Sequence, residues 1–281
     1  MKNIRKKAVS VQDISSFGQC SLTVALPCLS ALGIETAVVP TAVLSTHCGF
    51  EGFNYHDLTN EIPKLIEQWK NLGLKFDALY AGYLGNTDLI KYVNLLYDTV
   101  RTPNSFKLVD PAMADNGMFY AGFDKNYAKK TADFCRTADI ITPNITEALF
   151  LCEDYDNVKE YYTKDDIKYI VDKIQKNIGR IVIITGIPIN ENEIADVCLD
   201  MKSGFTDYYI QEKIEGTYYG TGDIFASVCT GLFLRGMTLP GVLRQASDFV
   251  TKCIEHTKND KDHWYGVHFE ECLPELWKMI E

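Results

Sequence analysis

The chain has 281 residues, of which 46% are hydrophobic, and it carries a formal net charge of −10. This length is enough for one or two domains with a sizeable core, and we expect a single domain over residues 1–281. The acidic balance excludes the basic surface that non-specific binding to nucleic acid or to an anionic membrane requires.

Nine cysteines are spread along the chain, and none of them forms a C-x-x-C pair. Most lie in apolar runs, where free thiols behave as small hydrophobic groups. This pattern predicts a reducing compartment, and neither a zinc site nor a disulfide framework. The first residues lack the apolar core of a signal peptide, and no stretch approaches the roughly 18 apolar residues of a membrane span. We therefore expect a cytoplasmic protein.

Short β-rich segments alternate with helical patterns along the chain. The strand-like segments are 6–12, 35–45, 76–84, 106–111, 138–144 and 180–186. Helical spacing covers 21–33, 62–73, 222–235, 239–257 and 269–280, and other helical segments lie between most strands. An antiparallel hairpin is predicted over 194–214. This order predicts an α/β fold, with a parallel sheet covered by helices on both faces.

Polar residues follow the apolar runs at the carboxyl ends of the predicted strands. They are Asp13, His47, Tyr83, Asp110, Asn144 and Thr185. In open α/β sheets this edge is where ligands bind, so we expect the functional site there.

The segment Gly220-Thr221-Gly222-Asp223 precedes an apolar run that has the pattern of a helix. Two glycines let main-chain N–H groups approach an anion closely, and a helix N-terminus favours negative charge. Asp223 would then accept a proton from a hydroxyl group that attacks phosphorus. The alternative is that Asp223 only caps the helix.

Two acidic segments offer metal or phosphate contacts. Asp110 and Asp115 bracket a turn-like segment and could hold Mg²⁺ directly or through water, or could only form Asx turns. Asn144 and Glu147 stand three residues apart at a strand-to-helix junction. They could face a metal from one side of the first turn, or could form a capping-box-like pair.

Further candidates carry weaker signals, and each has a structural alternative. The loop that begins at Asp13 could hold a substrate or cap the next helix, and His47 and Tyr83 could contact ligand or be satisfied inside the protein. Thr185 and Gly186 could meet a nucleotide or belong to an ordinary loop.

Five segments, taken in order, resemble the ribokinase-like superfamily and, within it, the pyridoxal/pyridoxamine kinase branch. They are LSTHCGF (44–50), GYLGN (82–86), DPAMADNGMFY (110–120), TPNITEA (142–148) and GTGDIFAS (220–227). The resemblance extends from about residue 8 to residue 257. It implies a three-layer α/β/α sandwich with a mostly parallel central sheet. It also implies ATP-dependent phosphorylation of the 5′-hydroxyl of pyridoxal, pyridoxamine or pyridoxine.

The resemblance also implies roles for individual residues. Asp223 would be the catalytic base, and the main chain of Gly220, Thr221 and Gly222 would form the anion hole. The vitamer pocket would use Asp13, Thr46, His47 and Tyr83. The nucleotide would meet Asp110, Asp115, Asn144, Thr185, Gly186 and Thr221, and Mg²⁺ would meet Asp115 and Glu147. A monovalent cation is a further implied cofactor, and the expected assembly is a homodimer.

The sequence departs from the family pattern at two positions. Asp13 stands where the family often has Ser, and Gly186 stands where a second hydroxyl residue often follows Thr185. A carboxylate prefers a cationic partner, so Asp13 predicts good use of pyridoxamine. Two alternatives remain, a hydroxymethylpyrimidine kinase and a non-catalytic vitamer-binding protein on the same fold.

Overall fold

The computed structural model describes residues 5–178 and 180–280. The chain divides into two compact units. Unit 1 consists of Met1–Leu108 and Glu215–Glu281, and unit 2 of Val109–Ile214. The single domain over 1–281 stays a prediction, and its residues 1–4, 179 and 281 lie outside the described part. Within the described ranges, we find no helix with both the length and the apolar character needed to cross a bilayer.

The elements of both units follow one another in the predicted α/β order. The strands are β1 (Lys7–Ser15), β2 (Glu35–Leu44), β3 (Tyr55–Asp57), β4 (Phe76–Ala81), β5 (Arg101–Val109), β6 (Ala114–Asp115), β7 (Met118–Phe119), β8 (Ile140–Ile141), β9 (Ile181–Pro188), β10 (Glu193–Asp200) and β11 (Phe205–Glu212). The helices are α1 (Leu22–Ala31), α2 (Ile62–Asn71), α3 (Asp88–Val100), α4 (Lys125–Cys135), α5 (Ile145–Leu151), α6 (Lys164–Asn177), α7 (Thr221–Leu234), α8 (Leu239–Thr257) and α9 (Leu273–Lys278).

The sheet of unit 1 has the strand order β5-β4-β1-β2-β3. Strand β1 pairs in parallel with both β2 and β4, and β3 adds an antiparallel edge next to β2. Residues 8–13 of β1 are all buried. Because successive side chains of a strand point to opposite faces, both faces of the sheet are covered here. The covering helices include α1, α3 and α7.

Helix α1 ends where the sequence predicts a stop. The N–H of Gly33 donates to Ser30 O (2.9 Å), and that of Ile34 donates to Leu29 O (3.0 Å). This pair of bonds is a Schellman motif, which satisfies carbonyls that the helix itself leaves without donors. The chain then turns directly into β2.

In unit 2 the strand order is β8-β9-β10-β11. Strands β8 and β9 are parallel, while β10 is antiparallel to both β9 and β11. The predicted hairpin over 194–214 is therefore confirmed. Helix α5 packs against β9, α4 and α6.

Several predicted boundaries differ from the structure. The strand predicted over 138–144 is reduced to Ile140–Ile141, because Pro143 has no N–H to donate and Asn144 already caps α5. The helix predicted over 269–280 is a 3-10 turn, Glu270–Cys272, followed by α9. Pro274 is in the first turn of α9, the position that proline favours. The sequence analysis did not predict β3 or the small β6–β7 hairpin.

Candidate functional site

In unit 1, helix α7 begins directly after a tight loop. The N-cap residue is Gly220, with φ of 78°, and a Cβ there would overlap the main-chain oxygen of Gln19. Only glycine fits both this conformation and this contact. Ile224 N–H donates to Gly220 O (3.0 Å), so the N–H groups before it have no acceptor inside the helix. Those groups make the start of α7 an anion-binding feature.

Asp223 is in the first turn of α7 and is half-buried. The pKa of Asp223 is raised to about 7: loss of hydration is the main cause, the main-chain N–H of Ser21 opposes it, and the nearby charge of Asp13 adds to it. A carboxyl group with a pKa near neutrality is suited to exchange a proton at physiological pH.

Asp13 is near the end of β1, as predicted, and only 3% of it is exposed. The β1–β2 register shifts here, since two steps from Gln12 to Ile14 match three from Pro40 to Val43. Such bulges redirect side chains beside functional sites. The Ser15 hydroxyl donates to Asp13 Oδ2 (2.9 Å). Burial raises the pKa of Asp13, and the hydroxyls of Ser21 and Ser15 oppose the shift.

The ring of His47 is buried, and both of its nitrogens have partners inside the protein. Gly49 N–H donates to Nδ1 (3.1 Å), so Nε2 carries the proton and donates to Tyr265 O (2.9 Å). Burial lowers the pKa of His47, which keeps the ring neutral. This geometry favours the structural alternative for His47, and leaves the ring face as its contact surface for a ligand.

An aromatic cluster surrounds His47, and the sequence analysis did not find it. Its members are Phe17, Phe50, Tyr219, Trp264 and Tyr265. The His47 ring centroid lies 4.8 Å from that of Tyr219 and 4.9 Å from that of Phe50. Phe17 and Trp264 remain 51% and 46% exposed. The cluster thus offers an apolar surface on which a flat ring can pack.

Tyr83 follows the end of β4 and is partly buried. Burial raises the pKa of Tyr83. The nearby side chains of Cys48, Tyr55 and Asp13 add to this shift, in decreasing order. Asp13 and Tyr83 therefore lie in one neighbourhood of unit 1, and Asp13 also influences Asp223. Thr46 is partly exposed beside His47.

The thiols of Cys20 and Cys48 complete this neighbourhood in unit 1. Burial raises the pKa of both, and the charge of Asp13 raises each of them further. Both thiols are therefore protonated at neutral pH and are weak nucleophiles.

In unit 2, Asn144 and Glu147 form a complete capping box at the start of α5. Asn144 Oδ1 accepts from Glu147 N–H (2.9 Å), and Glu147 Oε2 accepts from Asn144 N–H (2.9 Å). Glu147 Oε1 accepts from the N–H groups of Met113 (2.9 Å) and Ala114 (3.4 Å). The capping alternative is therefore present in the structure, and Glu147 also fixes the segment before β6.

Glu147 is 2% exposed. The pKa of Glu147 is raised to about 8: burial is the main cause, the three main-chain N–H bonds oppose it, and the charge of Asp115 adds to it. Asp115 itself is exposed, and its Oδ1 accepts from Asn116 N–H (2.8 Å). Asn116-Gly117 form the two-residue turn between β6 and β7, which is the strongest short-range hairpin signal in a sequence.

Thr185 and Gly186 lie at a bulge in β9. Two steps along β10, from Ala195 to Val197, match three along β9, from Ile187 to Ile184, and Gly186 has φ of 68°. Gly186 N–H donates to Asp196 Oδ1 (2.9 Å). Asp196, a carboxyl group in an apolar strand, was missed by the sequence analysis although its position in IADVCLD could have indicated it. Thr185 pairs with Asn144 across an isolated bridge.

The two units hold different parts of the predicted site. Unit 1 contains Asp13, Thr46, His47, Tyr83 and the segment Gly220–Asp223, whereas unit 2 contains Asp110, Asp115, Asn144, Glu147, Thr185 and Gly186. Asp110 is buried directly after β5. Thr221 belongs to unit 1, and its hydroxyl donates to Tyr218 O (3.1 Å).

Comparisons with known proteins match nearly the whole chain. A family model described as phosphomethylpyrimidine kinase matches residues 26–267. A hydroxymethylpyrimidine/phosphomethylpyrimidine kinase from Aquifex aeolicus is 25% identical over 257 residues, which cover 89% of this chain and 95% of the relative.

Two solved proteins are similar along their full length. One, from Bacteroides thetaiotaomicron, carries a provisional assignment as a phosphomethylpyrimidine kinase. It is 35% identical with a TM-score of 0.92, covering 98% of this chain and 95% of that one. A second crystal form of it, with pyridoxal, is 34% identical with a TM-score of 0.91, covering 97% and 96%. Pyridoxal kinase from Lactobacillus plantarum is 29% identical with a TM-score of 0.87, covering 98% and 97%. The α/β fold, with a mostly parallel sheet and flanking helices, is confirmed.

Proposed function

The chain belongs to the phosphomethylpyrimidine kinase family, and we propose that it transfers the γ-phosphoryl group of ATP to the 5′-hydroxyl of a B6 vitamer. The phosphotransferase class follows from that membership. The choice of a B6 vitamer is supported by the 34% identical Bacteroides protein, which was crystallised with pyridoxal, and by the similar pyridoxal kinase from Lactobacillus plantarum.

The observation that carries the catalytic assignment is the environment of Asp223. Asp223 is in the first turn of α7, beside N–H groups that have no acceptor inside the helix, and its pKa is raised to about 7. Asp223 takes the proton of the vitamer hydroxyl as its oxygen attacks the γ-phosphorus and ADP leaves. The N–H groups at the start of α7 stabilise the negative charge on the transferred group.

The acceptor side of the reaction is assigned to unit 1. Asp13 and Tyr83 contact the vitamer, with Thr46 beside them, and the aromatic cluster around His47 packs against the pyridine ring. His47 acts through its ring face, because its two nitrogens already have partners.

In unit 2, the proposed nucleotide contacts are Asp110, Asn144, Thr185 and Gly186. The nucleotide contact at Thr221 of unit 1 stays a prediction from the sequence. Oxygen donors suit Mg²⁺, which keeps several waters and uses one or two carboxylates. The exposed carboxyl of Asp115 fits a direct contact. Glu147 fits a supporting role, since both its oxygens accept main-chain bonds. Bound Mg²⁺ neutralises charge on the ATP phosphates.

A substrate panel tests this function. Purified protein with ATP and Mg²⁺ is offered pyridoxal, pyridoxamine, pyridoxine and hydroxymethylpyrimidine, and products are identified by mass. We expect 5′-phosphates of the vitamers at a higher kcat/KM than the pyrimidine product. Product from hydroxymethylpyrimidine alone would overturn the vitamer assignment, and binding without product would overturn the catalytic one.

Hydroxymethylpyrimidine kinase is the second candidate, and the family match together with the Aquifex relative favours it. The segments at 44–50 and 82–86 resemble the vitamer branch instead, which is why we place it second. A homodimer, a cytoplasmic location and an activating monovalent cation remain predictions from the sequence.

A further inference from the structure

A group of histidine and aspartate side chains lies in the loop of unit 1 that follows α8. Asp260, His263 and His268 each offer one potential ligand atom, and these atoms all lie within 4.8 Å of one another. Four residues separate the two histidines, which is a spacing common among zinc ligands. No thiol takes part, so the expectation of no zinc site, which came from the cysteine pattern, does not address this group.

The loop is anchored to the end of α8 on both sides of this group. Asp260 N–H donates to Thr257 O (2.8 Å), and His268 N–H donates to Thr257 Oγ1 (2.8 Å). Thr257 is the last residue of α8 and is buried, and its hydroxyl donates to Cys253 O (2.8 Å). Asp260 and His268 therefore start from fixed main-chain positions, which lowers the entropy cost of holding an ion.

Asp260 and His268 face each other directly. His268 Nε2 lies 3.1 Å from Asp260 Oδ2, while Oδ1 of the same carboxyl group accepts from Asp262 N–H (3.2 Å). Ligand atoms about 2.0–2.1 Å from a tetrahedral Zn²⁺ lie roughly 3.3 Å apart, so this pair already has nearly the separation that one ion needs. The side chains of His268 and Asp260 are 28% and 46% exposed, which gives an ion access from solvent.

A glutamine from outside the loop fixes the tautomer of His263. Gln19 Nε2 donates to Glu270 Oε1 (2.7 Å), because a carboxylate only accepts. The amide oxygen of Gln19 therefore faces His263 Nε2 (2.7 Å), and that nitrogen is the donor. The lone pair of His263 is then on Nδ1. Histidines that bind a metal commonly donate their other ring N–H to an oxygen acceptor, which orients the ring and raises the basicity of the ligating nitrogen.

We propose that Asp260, His263 and His268 bind a divalent transition-metal ion, with Zn²⁺ as the expected occupant and water completing a tetrahedral site. Two imidazole nitrogens and one carboxylate oxygen suit Zn²⁺ better than Mg²⁺, which prefers oxygen ligands alone. The ion takes the place of the proton on His268 Nε2. The ring of His263 stacks on that of His268, with 4.0 Å between centroids, and so brings the second imidazole beside the pair. The site does not depend on the proposed function, and its tests need no turnover.

An ion at this site holds the loop that carries Trp264 and Tyr265. The ring centroid of Trp264 lies 4.4 Å from that of Phe50, and Tyr265 O accepts from His47 Nε2 (2.9 Å). The loop thus supplies two members of the aromatic cluster. Zn²⁺ should slow amide hydrogen exchange in the loop, and His268→Ala should abolish this protection.

Zn²⁺ binding to the untagged, nucleotide-free protein tests the site. After treatment with EDTA, calorimetric titration of wild type with Zn²⁺ should give one ion per chain. His263→Ala and Asp260→Asn should weaken the Kd at least as much as Gln19→Ala, whose expected effect is about 10–100-fold. His256→Ala is the matched control, because His256 pairs with Glu271 (3.3 Å) outside this group, and its loss should leave the Kd unchanged.

Absence of Zn²⁺ binding in wild type would overturn the inference, as would an unchanged Kd in both His263→Ala and Asp260→Asn. Melting temperatures recorded without Zn²⁺ show that the variants are folded. Co²⁺ in place of Zn²⁺ identifies the ligand atoms. Nitrogen and oxygen ligands give visible d–d bands alone, whereas a near-ultraviolet thiolate-to-metal band would show that a cysteine binds the ion and would also overturn the assignment.

Discussion

Glu147 in unit 2 and Asp223 in unit 1 occupy the same place in their helices. Each is the third residue, in the first turn of α5 and of α7 respectively. Burial raises the pKa of both, to about 8 for Glu147 and to about 7 for Asp223. They differ in the N-cap residue, which is Asn144 before Glu147 and Gly220 before Asp223.

That difference decides what each carboxyl group can do. Asn144 completes a capping box with Glu147, and main-chain N–H groups of Met113 and Ala114 take the other oxygen. Gly220 has no side chain with which Asp223 could form a box. A raised pKa therefore shows only that a carboxyl group is buried. Its hydrogen-bond partners show whether its oxygens are already occupied, as in Glu147, or can accept a proton from a substrate.

The largest expected effect comes from Asp223→Asn. The side chain is nearly isosteric but cannot accept the proton, so kcat should fall about 10²- to 10⁴-fold. The melting temperature and the Kd values for ATP and vitamer should stay close to wild type. If kcat stayed within a few-fold of wild type, Asp223 would be a helix residue without a catalytic role.

The raised pKa of Asp223 predicts an acid limb in the pH profile. A base must be ionised in the free enzyme, so kcat/KM should fall about tenfold per pH unit below pH 7. Rates with pyridoxal from pH 5.5 to 8.5 measure this limb. A flat profile down to pH 5.5 would mean that a group with an ordinary carboxyl pKa is the base.

Glu147→Gln should act on stability instead. An amide cannot accept all three main-chain bonds, and an unpaired buried N–H costs about 1–3 kcal/mol. Denaturant unfolding should show a loss of roughly 2 kcal/mol, with kcat changed by only a few-fold. A large loss of kcat, together with a higher Mg²⁺ requirement and unchanged stability, would instead make Glu147 a functional carboxylate.

The pH dependence of this loss can be predicted. The pKa of Glu147 is raised from 4.5 to about 8 in the folded protein, so its contribution to wild-type stability is present below pH 4.5 and is lost as pH rises through 8. The difference in the free energy of unfolding between wild type and Glu147→Gln should therefore shrink as the pH rises from 5 to 8.

Thr163 and Asp166, at the start of α6, form a matched capping box in the same unit. Hydrogen bonds from Lys159 and Thr163 lower the pKa of Asp166 to about 2. Asp166→Asn should cost less stability than Glu147→Gln, because solvent can replace the lost partner. It should also lack the trend predicted for Glu147 from pH 5 to 8, since Asp166 is already ionised throughout that range.

The smallest expected effect is a change of preference at Asp13. An ionised carboxylate favours the ammonium-forming 4′ group of pyridoxamine, so Asp13→Ser should shift the pyridoxal-to-pyridoxamine ratio of kcat/KM up to about tenfold. Ser15→Ala, which removes one donor to Asp13, is the comparison variant. An unmoved ratio in Asp13→Ser would mean that Asp13 does not contact the 4′ group.

Local signals account for what the sequence predicted well. The stop of α1 at Gly33, the start of α5 at Asn144 and the β10–β11 hairpin each depend on residues within a few positions of one another. The strands of unit 1 were predicted from apolar runs for the same reason. Short elements such as β3 and β8 were missed or overextended, because two or three residues carry too little periodicity.

Long-range contacts decided the rest. His47 stays a ligand candidate through its ring face only, because the main-chain oxygen of Tyr265, 218 residues away, accepts a hydrogen bond from its Nε2. Glu147 was predicted as a metal contact. In the structure its carboxyl group accepts a hydrogen bond from the main-chain N–H of Met113, 34 residues earlier. The aromatic cluster around His47 had no local signal strong enough to identify it.

The sequence by itself determined the α/β order, the caps and the set of acidic residues at the strand ends, because propensity, periodicity and capping act over one or two helical turns. Only the tertiary structure decided which of these carboxyl groups lose their hydration and which N–H groups reach them. Desolvation and hydrogen bonding depend on residues that the chain brings together from distant positions. For that reason the loss of hydration at Asp223 and Glu147, and the N–H groups of Met113 and Ala114 that reach Glu147, are evident only in the folded protein.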